Sequence, residues 1–262
     1  MTAPTTATEP VVLAAIGGTS MAPLVLETAA KLGELIGATV EAVHVDEGPA
    51  DTTGTLAATF GVSVRRLRGP VASTLLAATE SPNVLVAVIG GHGPASDDGP
   101  VGPTARHILE HTTRPALVVP PDVRLPTVIR RCLVPLEGTE PSSRPVLQAL
   151  GRLLRNEVEL VVLHVFTDET LPRMLDRPYQ DMELLGQEFL ITHCPPAGAI
   201  EMRRGPVASR VVEVSEEREA DLIVLSWSQV GEEGRARVVR DVLGASDRPV
   251  LLLPVTDGGA DR

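Results

Sequence analysis

Arg68-Gly69-Pro70-Val71-Ala72-Ser73 returns later in the chain as Arg204-Gly205-Pro206-Val207-Ala208-Ser209. The surroundings repeat as well. Val43-His44-Val45 is echoed by Leu163-His164-Val165, and Arg114-Pro115 ahead of an apolar run is echoed by Arg248-Pro249. A repeat at about half the length of a 262-residue chain is far too long for a solenoid. It means two copies of one domain, each large enough to bury its own core.

The first copy alternates between two periods. Val11 to Ile16 is a short, fully apolar run, which reads as a strand buried on both faces. Val25, Ala29, Leu32 and Ile36 then fall at helical spacing and stop at Gly37. Thr39–Val45, Val62–Arg66, Val84–Ile89 and Ala116–Val119 read as further strands. A short helix is expected within 50–60, and others after Gly69, with Pro70 in the first turn, and around Ala105, Ile108 and Leu109. Strands alternating with helices imply right-handed βαβ units and a doubly wound parallel sheet. Three prolines in Pro120 to Pro126 mark a linker, after which the pattern restarts. Cys132–Leu136, Val158–Val165, Ile200–Arg203, Leu222–Leu225 and Val250–Leu253 are the second set of strands. The expected division is a tail over 1–10, a domain over 11–122, a linker over 123–129, a second domain over 130–255 and a tail over 256–262. The second copy is longer between its second and third strands. Residues 166–199 hold Met174, Leu175, Met182, Leu184, Leu185 and Phe189, consistent with an extra or longer helix.

Composition removes several function classes. The net charge of −11 argues against nucleic acid, whose phosphates are bound by Lys and Arg. Three Phe, one Tyr and one Trp supply no stacking platform for bases. No stretch reaches the ~18–20 apolar residues of a membrane span. The Thr-rich start lacks the basic and apolar regions of a signal peptide. Cys132 and Cys194 form no metal spacing, so the expected location is the cytoplasm, where thiols stay reduced. There is no Gly-x-Ser-x-Gly elbow, His-Glu-x-x-His, Walker lysine or cysteine pair, and no nucleophile with a base beside it.

Gly90-Gly91-His92-Gly93, eight residues, then Gly102-Pro103-Thr104 lies between the fourth strand and the fourth helix of the first copy. Here the chain resembles the universal stress protein family, with its strand, Gly-x-x-Gly, about nine residues and Gly-Ser/Thr opening the last helix. Ala105 to His111, and the ending Arg114 to Pro120, are similar too. In the second copy, Leu133-Val134-Pro135-Leu136-Glu137-Gly138-Thr139 resembles the family's first strand and turn, and Leu163-His164-Val165 its second-strand ending. The resemblance implies two tandem five-stranded sheets in order 3-2-1-4-5, with helices on both faces, packed as a pseudo-twofold pair through their last strands. In that order, ligands bind beyond the carboxyl ends of strands one and four, where the strand order reverses. The loops there are Gly17-Gly18-Thr19-Ser20 and Gly90 to Gly102. The resemblance implies an adenine nucleotide such as ATP, possible with Mg²⁺. Gly90, Gly93, Gly102 and Thr104 would cradle its phosphates, and backbone at Val45 would meet the adenine. Glu137 and Val165 are the corresponding candidates of the second copy.

Each copy departs from the family's pattern. Gly17 stands where the family has an acid, and Pro103 removes an amide donor at the helix start. Asp97 and Asp98 sit in the presumed phosphate loop, where each repels a phosphate charge by about 1 kcal/mol at ~4 Å in water. The second copy keeps Glu137 but has Ser226-Trp227-Ser228-Gln229 in place of Gly-x-x-Gly, and Ala236-Arg237-Val238 in place of Gly-Ser. His44 and His164, at equivalent strand ends, read as structural. His92 reads as a turn residue, and His107 and His111 as a solvated helix face. Helix initiation explains the repeated hexapeptide, with Arg68 and Arg204 as alternatives for lining a cleft. Three functions follow: a nucleotide-responsive regulatory or protective module with a degenerate site, a protein-interaction scaffold that has lost nucleotide binding, or a weak nucleotide hydrolase. A protein partner is expected in the first two.

Overall fold

The computed structural model describes residues 9–17, 20–46, 53–91, 101–137, 140–153, 158–167, 170, 180–193, 199–227 and 233–254. The first half runs β1 (Val11–Ala15), α1 (Ala22–Ile36), β2 (Thr39–Val45), α2 (Thr53–Thr59), β3 (Ser63–Leu67), α3 (Val71–Thr79), β4 (Val84–Gly90), α4 (Pro103–His111) and β5 (Ala116–Val119). The second half runs β6 (Arg131–Pro135), α5 (Glu140–Leu153), β7 (Glu159–Phe166), α6 (Gln180–His193), β8 (Ala199–Arg204), α7 (Val207–Glu217), β9 (Leu222–Trp227), α8 (Glu233–Ala245) and β10 (Val250–Pro254). The apolar runs became strands because their residues are buried on both faces of a parallel sheet, as in Val11–Ala14 and Leu222–Leu225. The period of α1 ends at Gly37, whose φ of 66° lets its N–H reach back to the carbonyl of Gly33. Among the described residues, no helix is long and apolar enough to cross a membrane.

The strands form one ten-stranded sheet in the order β3-β2-β1-β4-β5-β10-β9-β6-β7-β8. Each half has the expected 3-2-1-4-5 order. The second half runs in the opposite sense across the sheet, and the two halves share one sheet, where two separate sheets were expected. The join is antiparallel, with Val118 opposite Val250, Leu117 opposite Leu251 and Ala116 opposite Leu252. Both faces of the join are covered. Leu117, Val119, Leu251 and Leu253 belong to the core beneath α1 and α5, and Ala116, Val118, Val250 and Leu252 to the core beneath α4 and α8. Burying a leucine such as Leu117 or Leu251, both fully buried, is worth roughly 1.5–3 kcal/mol.

The expected linker is pinned along its length. Arg124 N–H donates to Asp247 O at 2.9 Å, and its guanidinium meets the Asp247 carboxylate at 2.8 Å. Lys31 Nζ donates to Thr127 O at 3.3 Å, and Ile129 is buried in the core. The longer segment of the second half carries α6, 14 residues against the 7 of α2.

The repeated hexapeptide has a backbone explanation. Gly69 and Gly205 have φ of 138° and 122°, a region that side chains strain to adopt. A Cβ on Gly69 would also lie 2.7 Å from Thr74 Oγ1. Pro70 and Pro206 follow as extended N-cap residues, ψ 127° and 123°, one position before the first turn in which Pro70 was expected. Arg204 gives its carbonyl to Arg210 Nε at 2.9 Å, so this arginine's backbone, too, serves the helix start.

Residues 1–125 produced alone would leave the β5 edge unpaired, and such edges pair with one another. The expected outcome in size-exclusion chromatography with light scattering is a homodimer or aggregate, while the full chain needs no such contact between molecules. A monodisperse monomer of 1–125 contradicts this account of the join.

Candidate functional site

The strand order reverses between β1 and β4, and sheets of this kind bind ligands beyond the carboxyl ends of the strands at that point. Ala15 lies opposite Ile89, which sets Gly17 beside Gly90 and Gly91. Val45 ends the neighbouring strand, opposite Leu67. Gly91 closes the far wall. Its N–H donates to Val119 O at 2.8 Å, and its carbonyl receives the Gly102 N–H at 2.7 Å. A Cβ on Gly91 would stand 3.3 Å from Val119 O, and one on Gly90 would stand 3.3 Å from Met21 Cβ, so both glycines permit close packing. Gly102 is the N-cap of α4, and Arg106 N–H donates to its carbonyl. The fold thus brings Gly17, Val45, Gly90, Gly102 and Thr104 to one end of the sheet. Gly18, Gly93, His92, Asp97 and Asp98 lie outside the described residues.

Donor accounting shows how much of a phosphate cradle remains. The first-turn amides of a helix have no partner within it. At α4, Pro103 has no amide and the Gly102 amide is committed to Gly91. Thr104 and Ala105 supply the remaining first-turn amides, with the Thr104 hydroxyl beside them. Sequence reading missed Asp46, whose signal was an acid directly after the second strand. Its Oδ1 lies 3.6 Å from Arg66 Nη1 and 3.9 Å from His44 Nε2.

His44 and His164 do the same work in both halves. His44 Nδ1 bonds Ile16 O at 3.0 Å, and His164 Nδ1 bonds Leu136 O at 2.9 Å. Each ties the turn after the half's first strand to the end of its second strand. Around His164 the second half adds rings: Phe166 at 4.6 Å edge-on and Phe189 at 4.8 Å, with His193 against Phe189 at 4.7 Å. Buried Phe166 occupies the position that Asp46 holds in the first half. Val165 is half-buried and Glu137 is exposed on the turn after β6.

Trp227 is the main asymmetry. Ala87 N–H bonds Pro115 O and Ile223 N–H bonds Pro249 O, so the registers of β4 and β9 correspond and Trp227 takes the position of Gly91. Its indole N–H crosses the join and donates to Leu109 O at 2.9 Å, in the last turn of α4. Carbonyls there lack an amide partner within the helix, so the second half helps to cap a helix of the first. Where the first half ends the strand in a glycine, the second has a clamp.

Other polar groups are accounted for structurally. Burial pushes the Cys132 thiol up to about 12, with the Asp221 charge adding to the effect, so it stays protonated. Burial of Glu80 raises its pKa, but hydrogen bonds from Thr113 and Thr112 outweigh that and, with Arg114, hold the carboxyl below its ordinary value. His111 Nδ1 meets His107 O at 2.8 Å, and no group of three His, Cys, Asp or Glu among the described residues could hold a metal ion.

Two outcomes are expected here. Burial lowers the His164 pKa, offset by its bond to Leu136 O and reinforced by His193. The unfolded chain therefore takes up a proton first as pH falls below the ordinary value of 6.5, and folding loses stability in that window. Melting temperature should fall between pH 7 and pH 5. His164→Asn, which keeps a donor for Leu136 O, should flatten the profile; an unchanged slope counts against His164 as its source. Separately, Trp227→Phe should cost about 0.5–1.5 kcal/mol in denaturant unfolding, the worth of one hydrogen bond.

Residues 129–254 match the model of the universal stress protein family, so the second half is a domain of that family. No curated protein matches the chain. Three solved structures share its fold over nearly the whole length. A functionally unknown protein of Pseudomonas aeruginosa PAO1 is 14% identical with a TM-score of 0.69, covering 95% of this chain and 93% of that one. A putative universal stress protein of Pseudomonas aeruginosa UCBPP-PA14 is 14% identical with a TM-score of 0.68, covering 94% of each chain. A universal stress protein of Archaeoglobus fulgidus DSM 4304 is 16% identical with a TM-score of 0.64, covering 94% of this chain and 98% of that one.

Proposed function

We propose that this chain, with a universal stress protein domain as its second half, is a regulatory module that senses an adenine nucleotide in its first half. The observation that carries the reading is the exchange of Gly91 for Trp227 between two otherwise matching strand ends. The first half keeps a glycine-walled crevice at its switch point. The second half fills the equivalent wall with an indole and places Phe166 and Phe189 about its second-strand end. In the first half, Gly90 and Gly91 bring the strand end close against Met21 and Val119, and Gly102 opens α4 at the same end of the sheet. The Thr104 and Ala105 amides and the Thr104 hydroxyl face an anion at the positive end of α4. Val45 offers backbone for the base. Gly18 and Gly93 complete the proposed set. The fit is partial, since Gly17 brings no carboxylate and Pro103 no amide. The reading assigns no catalytic residue and needs no metal, although Mg²⁺ accompanying ATP would offset the charge of Asp97 and Asp98.

The commitment of the Gly102 amide to Gly91 favours a second reading, an interaction scaffold that no longer binds nucleotide. Isothermal titration with ATP and ADP separates the two. The nucleotide reading expects saturable binding with a stoichiometry of about one per chain. Thr104→Ala should weaken it tenfold or more, from the roughly 1.5–3 kcal/mol of a hydrogen bond to a charged group. Gly102→Val should abolish it, and Glu137→Ala should leave it unchanged. Absence of binding to the folded protein selects the scaffold, and sensitivity to Glu137→Ala with indifference to Thr104→Ala moves the site to the second half. Phosphate release above background would point instead to hydrolysis.

A further inference from the structure

The two halves differ on the outer face of the sheet, between the last two helices of each. In the second half, α7 and α8 leave a groove of about 760 Å³ between them. Its apolar lining is Val207, Ala208, Val212 and Val238, and its rims carry Glu213, Glu216 and Asp241. The repeat supplies the reason the groove is open. The buried residues Val239, Val242 and Leu243 of α8 correspond to Ala105, Ile108 and Leu109 of α4, and Val211 and Val214 of α7 to Leu75 and Ala78 of α3. By that correspondence, Val212 stands for Leu76, Asp241 for His107 and Ala245 for His111. The two imidazoles pack with ring centroids 4.5 Å apart and planes tilted by 34° in the first half. The second half replaces them with a short carboxylate and a methyl group. The same correspondence sets Glu213 against Ala77, so the second half gains two acids while it loses bulk.

We propose that the α7–α8 groove is a docking site for a cationic amphipathic helix of a partner protein. An apolar trough along two helices takes the apolar face of a third helix, read at i, i+3, i+4 and i+7. The rims select the charge of that helix. Three carboxylates line the groove against one guanidinium, Arg237, whose side chain is 79% exposed and whose Nε stands 3.7 Å from Asp241. Arg210, beside the groove, pairs with Glu213. Exposed pairs of this kind contribute little, ~0–1 kcal/mol each, so lysines or arginines of an incoming helix exchange for them at small cost. The overall charge of −11 steers such a partner toward the surface. This site is independent of the nucleotide reading.

The probe is a fluorescein-labelled 14-residue peptide with leucine on one helical face and lysine on the other, followed by anisotropy at physiological salt. Its control replaces each lysine by glutamate. The lysine peptide is expected to bind saturably and the glutamate peptide not to bind. The triple variant Val212→Leu, Asp241→His, Ala245→His gives the groove the residues the first half already carries, and should weaken binding at least tenfold. Asp241→Lys, a single change on an exposed turn of α8, should weaken it as well, with both variants checked by thermal melting. Failure of the lysine peptide to bind overturns the proposal. So does equal binding of the glutamate peptide, or undiminished binding by either folded variant, which would reduce the effect to general attraction by an acidic protein.

Discussion

Backbone pairing between Ala116–Val118 and Val250–Leu252 holds two domains in one sheet, and most of the molecule's organisation depends on it. Each parallel half ends in a strand that has a neighbour on one side and none on the other. An unpaired, fully apolar edge in the middle of a molecule attracts other chains. Antiparallel pairing satisfies both edges at once and relates the halves by a pseudo-twofold axis. The cores above and below the sheet then run through the join without a break. Trp227 reaches Leu109 because the pairing places β9 within reach of α4, and Arg124 meets Asp247 because the connecting segment must return along the same boundary.

Within that shared frame the halves have kept their supports and exchanged their tips. His44 and His164 bond the same carbonyl position, Ile16 and Leu136. Gly69 and Gly205 make the same left-handed entry to a helix. Thr112 with Arg114, and Ser246 with Arg248, make the same small hydroxyl turn before the closing strand. These positions answer to backbone geometry, which both halves need. The tips beyond the strands are free of that shared requirement, and there Gly91 stands against Trp227 and Asp46 against Phe166.

Features governed by backbone requirements were legible from residues alone. The strands at Thr39–Val45 and Ala116–Val119 have the expected bounds, the second because an apolar run between Pro115 and Pro120 leaves little freedom. The end of α1 at Gly37 followed from the same logic, and the structural roles of the two histidines from their equivalent places in the repeat. Pro70 was displaced by one position, since a proline preceded by a positive-φ glycine stays extended and caps the helix. Contacts between the halves were less legible. A lone tryptophan in place of a glycine signals loss of a crevice, but its bond to Leu109 depends on how the shared sheet sets β9 against α4. The open groove depends on the size of Val212 and Ala245 relative to Leu76 and His111, which becomes apparent once the repeat is laid out in space.

Joining the two halves in one polypeptide also changes what a binding curve can look like. In a homodimer of this architecture every substitution appears twice, so a glycine-walled crevice comes in pairs and the two can influence each other across the shared sheet. Here the covalent link lets Trp227 stand on one side of the axis and Gly91 on the other. A module with a single crevice per pair of domains has no second site to cooperate with. If the proposed nucleotide binds there, its occupancy follows a simple hyperbola that reaches one half when free ligand equals Kd, a graded response instead of a threshold. Any sharper response would then have to arise outside this chain.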